Sequence, residues 1–187
     1  MNLHQHGREA TDEVALLEKE LSRLDRAIAG NPADVRALFQ RGVIHGQMGD
    51  FLKAIDDFSS LLQVEPRNAE AYYNRGIARV TAKVHILAID DFSEAVAINP
   101  QHADAYNNRA SCHYEMGHAR EALRDAEHVV TLNPRHPGGY AVRALAKTML
   151  GMDVEAEQDA LRAGELGFSP KAIQALMDQE KSNRRRK

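Results

Sequence analysis

The chain has few of the features that announce chemistry. It has one cysteine, Cys112, among 187 residues. That excludes an intrachain disulfide framework and fits a reducing compartment. It has no long hydrophobic run. No window approaches ~18 consecutive apolar residues, so no insertion into a membrane is expected. It has no dominant charge. The net charge of −3 gives no general pull toward nucleic acid or a membrane surface. The first residues, MNLHQHGREATDEV, lack an apolar secretion segment and a lipid-attachment cysteine, so a cytoplasmic protein is the expectation.

Catalytic and ligand-binding patterns are missing as well. There is no Gly-rich phosphate loop and no G-x-S-x-G. No CxxC, HExxH or EF-hand spacing occurs. The nine histidines do not form a metal pattern. His4 and His6 lie near the start, and Cys112 and His113 point in different directions on a helix, with His118 beyond a turn. No metal, no cofactor and no enzymatic activity are expected. RNA-reading helical repeats need a basic surface, whereas the one dense basic run here is 184–187. A nucleic-acid partner is therefore not expected.

What the chain does have is a period. Pro32, Pro66, Pro100 and Pro134 are spaced 34 residues apart, three of them after asparagine. Proline stops helices and Asn-Pro favours a turn. A fixed step of this size signals a repeat array. Blocks 35–68, 69–102, 103–136 and 137–170 align when counted from 1 to 34. Position 8 is Gly42, Gly76, Ala110 and Ala144, and position 20 is Ala54, Ala88, Ala122 and Ala156. These small residues let two helices approach closely. Position 4 is Leu38, Tyr72, Tyr106 and Tyr140, and position 24 is Phe58, Phe92, Ala126 and Ala160. Glycine at 49, 117 and 151 marks a turn between two helices with apolar residues at helical spacing.

This pattern resembles the tetratricopeptide repeat (TPR) family, over about residues 35–168. The resemblance implies an all-α, right-handed superhelical solenoid with capping helices at both ends. The expected organisation is a flexible 1–10, a capping helix within 11–34 with Thr11 as N-cap, and repeats at 35–68, 69–102 and 103–136. A degenerate repeat at 137–168 follows, then a capping helix at 169–181 opened by Ser169-Pro170, and a frayed basic tail at 182–187. The fourth block is worn: Glu157 holds an apolar place, Gly164 interrupts the second helix and Phe168 replaces the proline. The second block has Lys83 in place of the turn glycine. Val84, Ile86 and Leu87 near that turn form either a buried patch or an apolar tip for a partner.

One departure from the family repeats. Position 7, usually leucine, is Arg41, Arg75, Arg109 and Arg143, and position 23 is Asp57, Asp91, Asp125 and Asp159. Each lies about eight residues from the turn, so each arginine is expected to meet an aspartate of its paired helix or of a neighbour's. A pair that recurs with the repeat belongs to the scaffold.

The resemblance also implies a concave groove lined by positions 2, 5, 6, 9, 12 and 13. Its candidate residues are Phe39, Gln40 and Val43, then Tyr73, Asn74 and Ile77, then Asn107, Asn108 and Ser111. Gln40, Asn74 and Asn108 share position 6. A primary amide is both donor and acceptor, so the three either pair with a peptide backbone or merely cap and solvate their helices. The family's carboxylate clamp for chaperone tails needs basic residues here. This sequence retains one clamp asparagine and has Phe39, Val43, Asp104 and Asn108 at the other places, so that ligand is rejected. The expected function is a non-enzymatic adaptor holding an extended peptide or helix of another protein. The alternative is a scaffold that self-associates through its ends or groove.

Overall fold

The computed structural model describes residues 3–186, with side chains from Val14 onward. The expected N-cap Thr11, like His4 and His6, falls outside the described side chains. Ten helices and no strand form among the described residues. The chain divides into two compact units, Met1–Ala82 and Lys83–Lys187.

The first unit holds α1 (Leu3–Gly30), α2 (Val35–Gln47), α3 (Phe51–Val64) and α4 (Ala69–Thr81). Helix α1 begins well before the Thr11 start expected from the sequence. The segment LHQHGREA has no proline and a single glycine, so little opposes helix there. The buried stripe of α1 carries Leu24, with Leu17, Leu21 and Ile28 beside it, packed on Ala37 and Ile44 of α2. Phe58 of α3 lies under Ala54 and Ala78, edge-on to Phe39 with ring centroids 5.7 Å apart. Gly42 makes this approach possible, because a Cβ there would lie 3.0 Å from the Phe58 ring.

The second unit holds α5 (His85–Ile98), α6 (Ala103–Glu115), α7 (Ala119–Leu132), α8 (Pro137–Met149), α9 (Asp153–Glu165) and α10 (Pro170–Arg185). Ala141, Ala144 and Leu145 of α8 pack with Ala156, Ala160 and Ala163 of α9 and with Ile173 and Met177 of α10. Helix α9 is continuous through Gly164, which lies one residue from its end. The loss of one helix-favouring residue in the last turn does not break a helix already packed on one face.

The N-caps follow the repeat. Asp34, Asn68, His102 and His136 share position 34, and each accepts a hydrogen bond from the backbone N–H three residues on. The two histidines use Nδ1 for this, at 3.3 Å from Ala105 N and 2.9 Å from Gly139 N. His136 Nε2 also lies 3.1 Å from Asp104 Oδ1, which selects the Nε2–H tautomer. Ser169 caps α10 through Ala172 N–H, with Pro170 opening the helix.

The basic end is not frayed. Arg184 Nη1 donates to Thr148 O at 2.6 Å, and Nη2 donates to Asp153 Oδ2 at 2.7 Å. The guanidinium thus satisfies a carbonyl at the C-terminal end of α8, where positive charge is favoured, and lowers the Asp153 pKa.

Turn glycines 49, 117 and 151 all have φ near +80°, and Lys83 takes their place with φ +62°. A side chain in this left-handed region is strained. Lys83→Gly is therefore expected to stabilise the chain by about 0.5–1 kcal/mol, the relief of strain exceeding the added chain entropy. A rise in thermal midpoint would show it; a fall would contradict the strain. Val84, Ile86 and Leu87 beside it are exposed, Ile86 to 65%, so they do not form a buried patch.

Candidate functional site

The repeated arginines and the groove candidates separate in space. Arg41 Nη2 donates to Asp57 Oδ1 at 2.6 Å, joining α2 to α3. Arg109 donates through Nε and Nη2 to both carboxylate oxygens of Asp125, at 2.7 and 2.8 Å, joining α6 to α7. Arg143 grips both oxygens of Asp159, which Lys147 also approaches at 2.7 Å. The aspartates are buried and the arginines half-buried. Asp91 is buried in the second unit.

Three of the arginines also reach backward, which the sequence reading missed. Arg41 Nη1 donates to Asp25 of α1 at 2.8 Å. Arg75 Nη1 donates to Ser59 of α3, and Arg109 Nη1 to Ser93 of α5, both at 3.0 Å. All three partners lie 16 residues before their arginine, and Arg41 and Arg109 find their aspartates 16 after. The stems pass over aromatic faces, with Arg75, Arg109 and Arg143 lying 5.1–5.4 Å from the Tyr72, Tyr106 and Tyr140 centroids. One guanidinium thus ties an A-type helix to the B-type helix before it, and in α2 and α6 also to the one after. Hydrogen bonding to Asp57 holds the Arg41 pKa above its ordinary value against the opposing effect of burial.

In the first unit the groove candidates surround a cavity of about 250 Å³. Val43 of α2 and Asn74 and Ile77 of α4 line it, with Gly42, Gly46, Gln47, Phe51, Ala54, Phe58 and Ala78 forming its other walls. Asn74 Nδ2 donates to Glu70 O at 2.8 Å, so part of its amide serves its own helix. Phe39, Gln40 and Val43 also line a second cavity of about 290 Å³ beside Glu20 of α1. Tyr73 is half-buried on α4.

In the second unit Asn107, Asn108 and Ser111 are half-buried on α6. Ser111 Oγ donates to Asn107 O at 3.0 Å. The Asn107 amide lies against Gly138 of α8, where a Cβ would come within 3.0 Å of its oxygen. Cys112 is buried, and burial pushes its thiol up to about 11, which leaves it unreactive. Burial lowers the pKa of His45 and of His113, keeping both imidazoles neutral.

A larger cavity, about 450 Å³, lies between α9 and α10. Its lining includes Leu161, which is 71% exposed.

Comparisons with known proteins agree with the geometry. Two tetratricopeptide repeat family models match residues 39–103 and 103–136. No curated protein sequence matches the chain. A solved MamA structure is 24% identical, covers 89% of this chain and 95% of its own, and superposes with a TM-score of 0.77. YrrB, described as a TPR protein with an unusual peptide-binding site, is 20% identical over 93% of this chain and 88% of its own, with a TM-score of 0.75. The first TPR of Spaghetti (RPAP3), bound to the HSP90 peptide SRMEEVD, is 25% identical over 63% of this chain and 93% of its own, with a TM-score of 0.61. With family models matched over more than half its length and the same all-α architecture, this chain belongs to the tetratricopeptide repeat family.

Proposed function

We propose that the chain is a non-enzymatic, cytoplasmic adaptor that holds an extended peptide or helix of a partner protein on the face shared by α2 and α4. The single observation that carries this is the cavity where Val43, Asn74 and Ile77 converge. Largely apolar walls with two amides, Asn74 and Gln47, suit a peptide: the walls take a side chain, and an amide pairs with a backbone group. The peptide-binding neighbours YrrB and Spaghetti lend support to a protein partner. The chaperone-tail ligand of the latter does not transfer. Phe39 and Val43 occupy places where that clamp needs a lysine and an asparagine, so a terminal carboxylate finds no counter-charge. On the second unit Asn107, Asn108 and Ser111 of α6 are proposed as a further peptide contact.

Self-association through the C-terminal end is the second reading, drawn from the open α9–α10 cleft. It calls for a mass by light scattering that rises with concentration and falls back in Leu161→Glu.

The adaptor is tested by affinity capture and mass spectrometry with the wild type and an Asn74→Ala/Asn108→Ala variant. Alanine is the better helix former, so the variant keeps its fold. Partners held by the wild type are expected to be lost. Equal recovery by both, at equal melting temperature, contradicts the proposed surface.

A further inference from the structure

Gly46 is a helical glycine that neither the backbone nor the packing requires. The glycines with positive φ are Gly49, Gly117, Gly151 and Gly167. A Cβ on Gly46 would meet nothing within 4 Å, whereas one on Gly42, a turn earlier, would strike the Phe58 ring. Gly42 is needed for close approach and Gly46 is not. Glycine also weakens a helix relative to alanine. The same position in the next three repeats is Val80, Tyr114 and Thr148.

What Gly46 does is leave one wall of the α2–α4 cavity bare. Val43, Phe51, Phe58, Ile77 and Ala78 are among its other walls, Gln47 and Asn74 add two neutral amides, and no residue of the lining carries a charge. An ionised side chain entering this space would lose water without gaining a counter-charge. A neutral aliphatic one would lose nothing, and a cavity of about 250 Å³ holds one such side chain.

We infer that this cavity is an anchor pocket for a single leucine- or methionine-sized side chain on the partner segment, and that Gly46 sets the size of that anchor. The inference rests on the peptide-binding reading of the α2–α4 face. It adds the chemistry of the occupant and a specificity-determining residue that makes no contact of its own through a side chain.

The test uses random linear peptides displayed on phage, selected against the full chain. Selected peptides are synthesised and titrated by fluorescence anisotropy against wild type, Gly46→Ala, Gly46→Leu and Asn74→Ala. The selected peptides are expected to share one leucine or methionine. Alanine at that place, or Gly46→Leu in the protein, weakens binding by about tenfold or more, as loss of one buried aliphatic side chain does. Gly46→Ala takes less of the space, weakens binding less, and melts above the wild type. That smaller variant carries the comparison if the bulk of Gly46→Leu disturbs the fold.

Four results overturn the inference. Peptides with no shared apolar residue remove the anchor. Peptides weakened by Asn74→Ala but indifferent to both Gly46 variants remove the pocket and leave the peptide-binding face standing. A Gly46→Ala chain that melts below the wild type shows that the fold needs this glycine after all. Peptides indifferent to every variant overturn the pocket and the face together.

Discussion

Asp125→Ala is expected to lower the melting temperature by at least about 6 °C. Asp125 is buried on α7 and takes two hydrogen bonds from Arg109. Removing one member of a buried pair costs about 3–5 kcal/mol, because the charge left behind is desolvated without a partner. In a chain of this size each kcal/mol moves the midpoint by about 2–4 °C. The lower end of the range is expected, since the Arg109 side chain retains some solvent access and keeps its bond to Ser93. Asp90→Ala, at an exposed position of α5, should change stability by less than about 0.5 kcal/mol. An Arg109→Met/Asp125→Leu chain should recover most of the loss, because a buried pair exchanged for apolar side chains is often neutral. If Asp125→Ala melts with the wild type, the arginines do not hold the repeats together.

Met177→Ala is the second large effect, at about 2–5 kcal/mol. Only Ile173 and Met177 of α10 are buried, and Met177 is fully enclosed among Ala141, Leu145 and their neighbours. A 16-residue helix is marginal by itself, so α10 depends on this anchor and on polar ties at its far end. Those ties are Tyr114 Oη to Glu180 Oε1, Lys181 Nζ to Glu157 Oε1, both at 3.2 Å, and Arg184 to Asp153. Undocking α10 would bare the apolar face of α8 and α9, and a repeat array with an uncapped end associates. Light scattering of Met177→Ala should therefore show a larger mass as well as an earlier melt. Leu176→Ala, on the open side of the same helix, should change neither. An unaltered mass and melt in Met177→Ala would mean that α10 does not protect the array.

The 34-residue period made the helices, their turns and the Arg–Asp pairing legible, because each rule was stated four times. What varies between copies was harder to see. The backward partners of Arg41, Arg75 and Arg109 are Asp25, Ser59 and Ser93, so no single residue type marks that position. His102 and His136 looked like loop residues because histidine is an uncommon N-cap. Their alignment with Asp34 and Asn68 was the available signal. Composition suggested that Arg184 was solvated, since nothing in the local sequence points to Asp153, 31 residues away. The candidate site was legible in part. Val43, Asn74 and Ile77 came from the family pattern. The bare wall at Gly46 and the floor at Phe58 appear only once α2, α3 and α4 are packed. The apolar residues at 84–87 were ambiguous because a turn without glycine can fold inward or outward, and here they lie open to solvent.

A division of labour follows from these placements. The arginines, present in every repeat, hold helices in register. The face between α2 and α4, which no other repeat copies in full, is where we propose that a partner is held. The most direct measurement is a methyl and amide chemical-shift map of the chain titrated with a peptide selected on it. The account predicts the largest shifts at Val43, Gly46, Asn74, Ile77 and Ala78. Shifts confined to the exposed Ile86 and Leu87, or to Leu161 at the α9–α10 cleft, would contradict it.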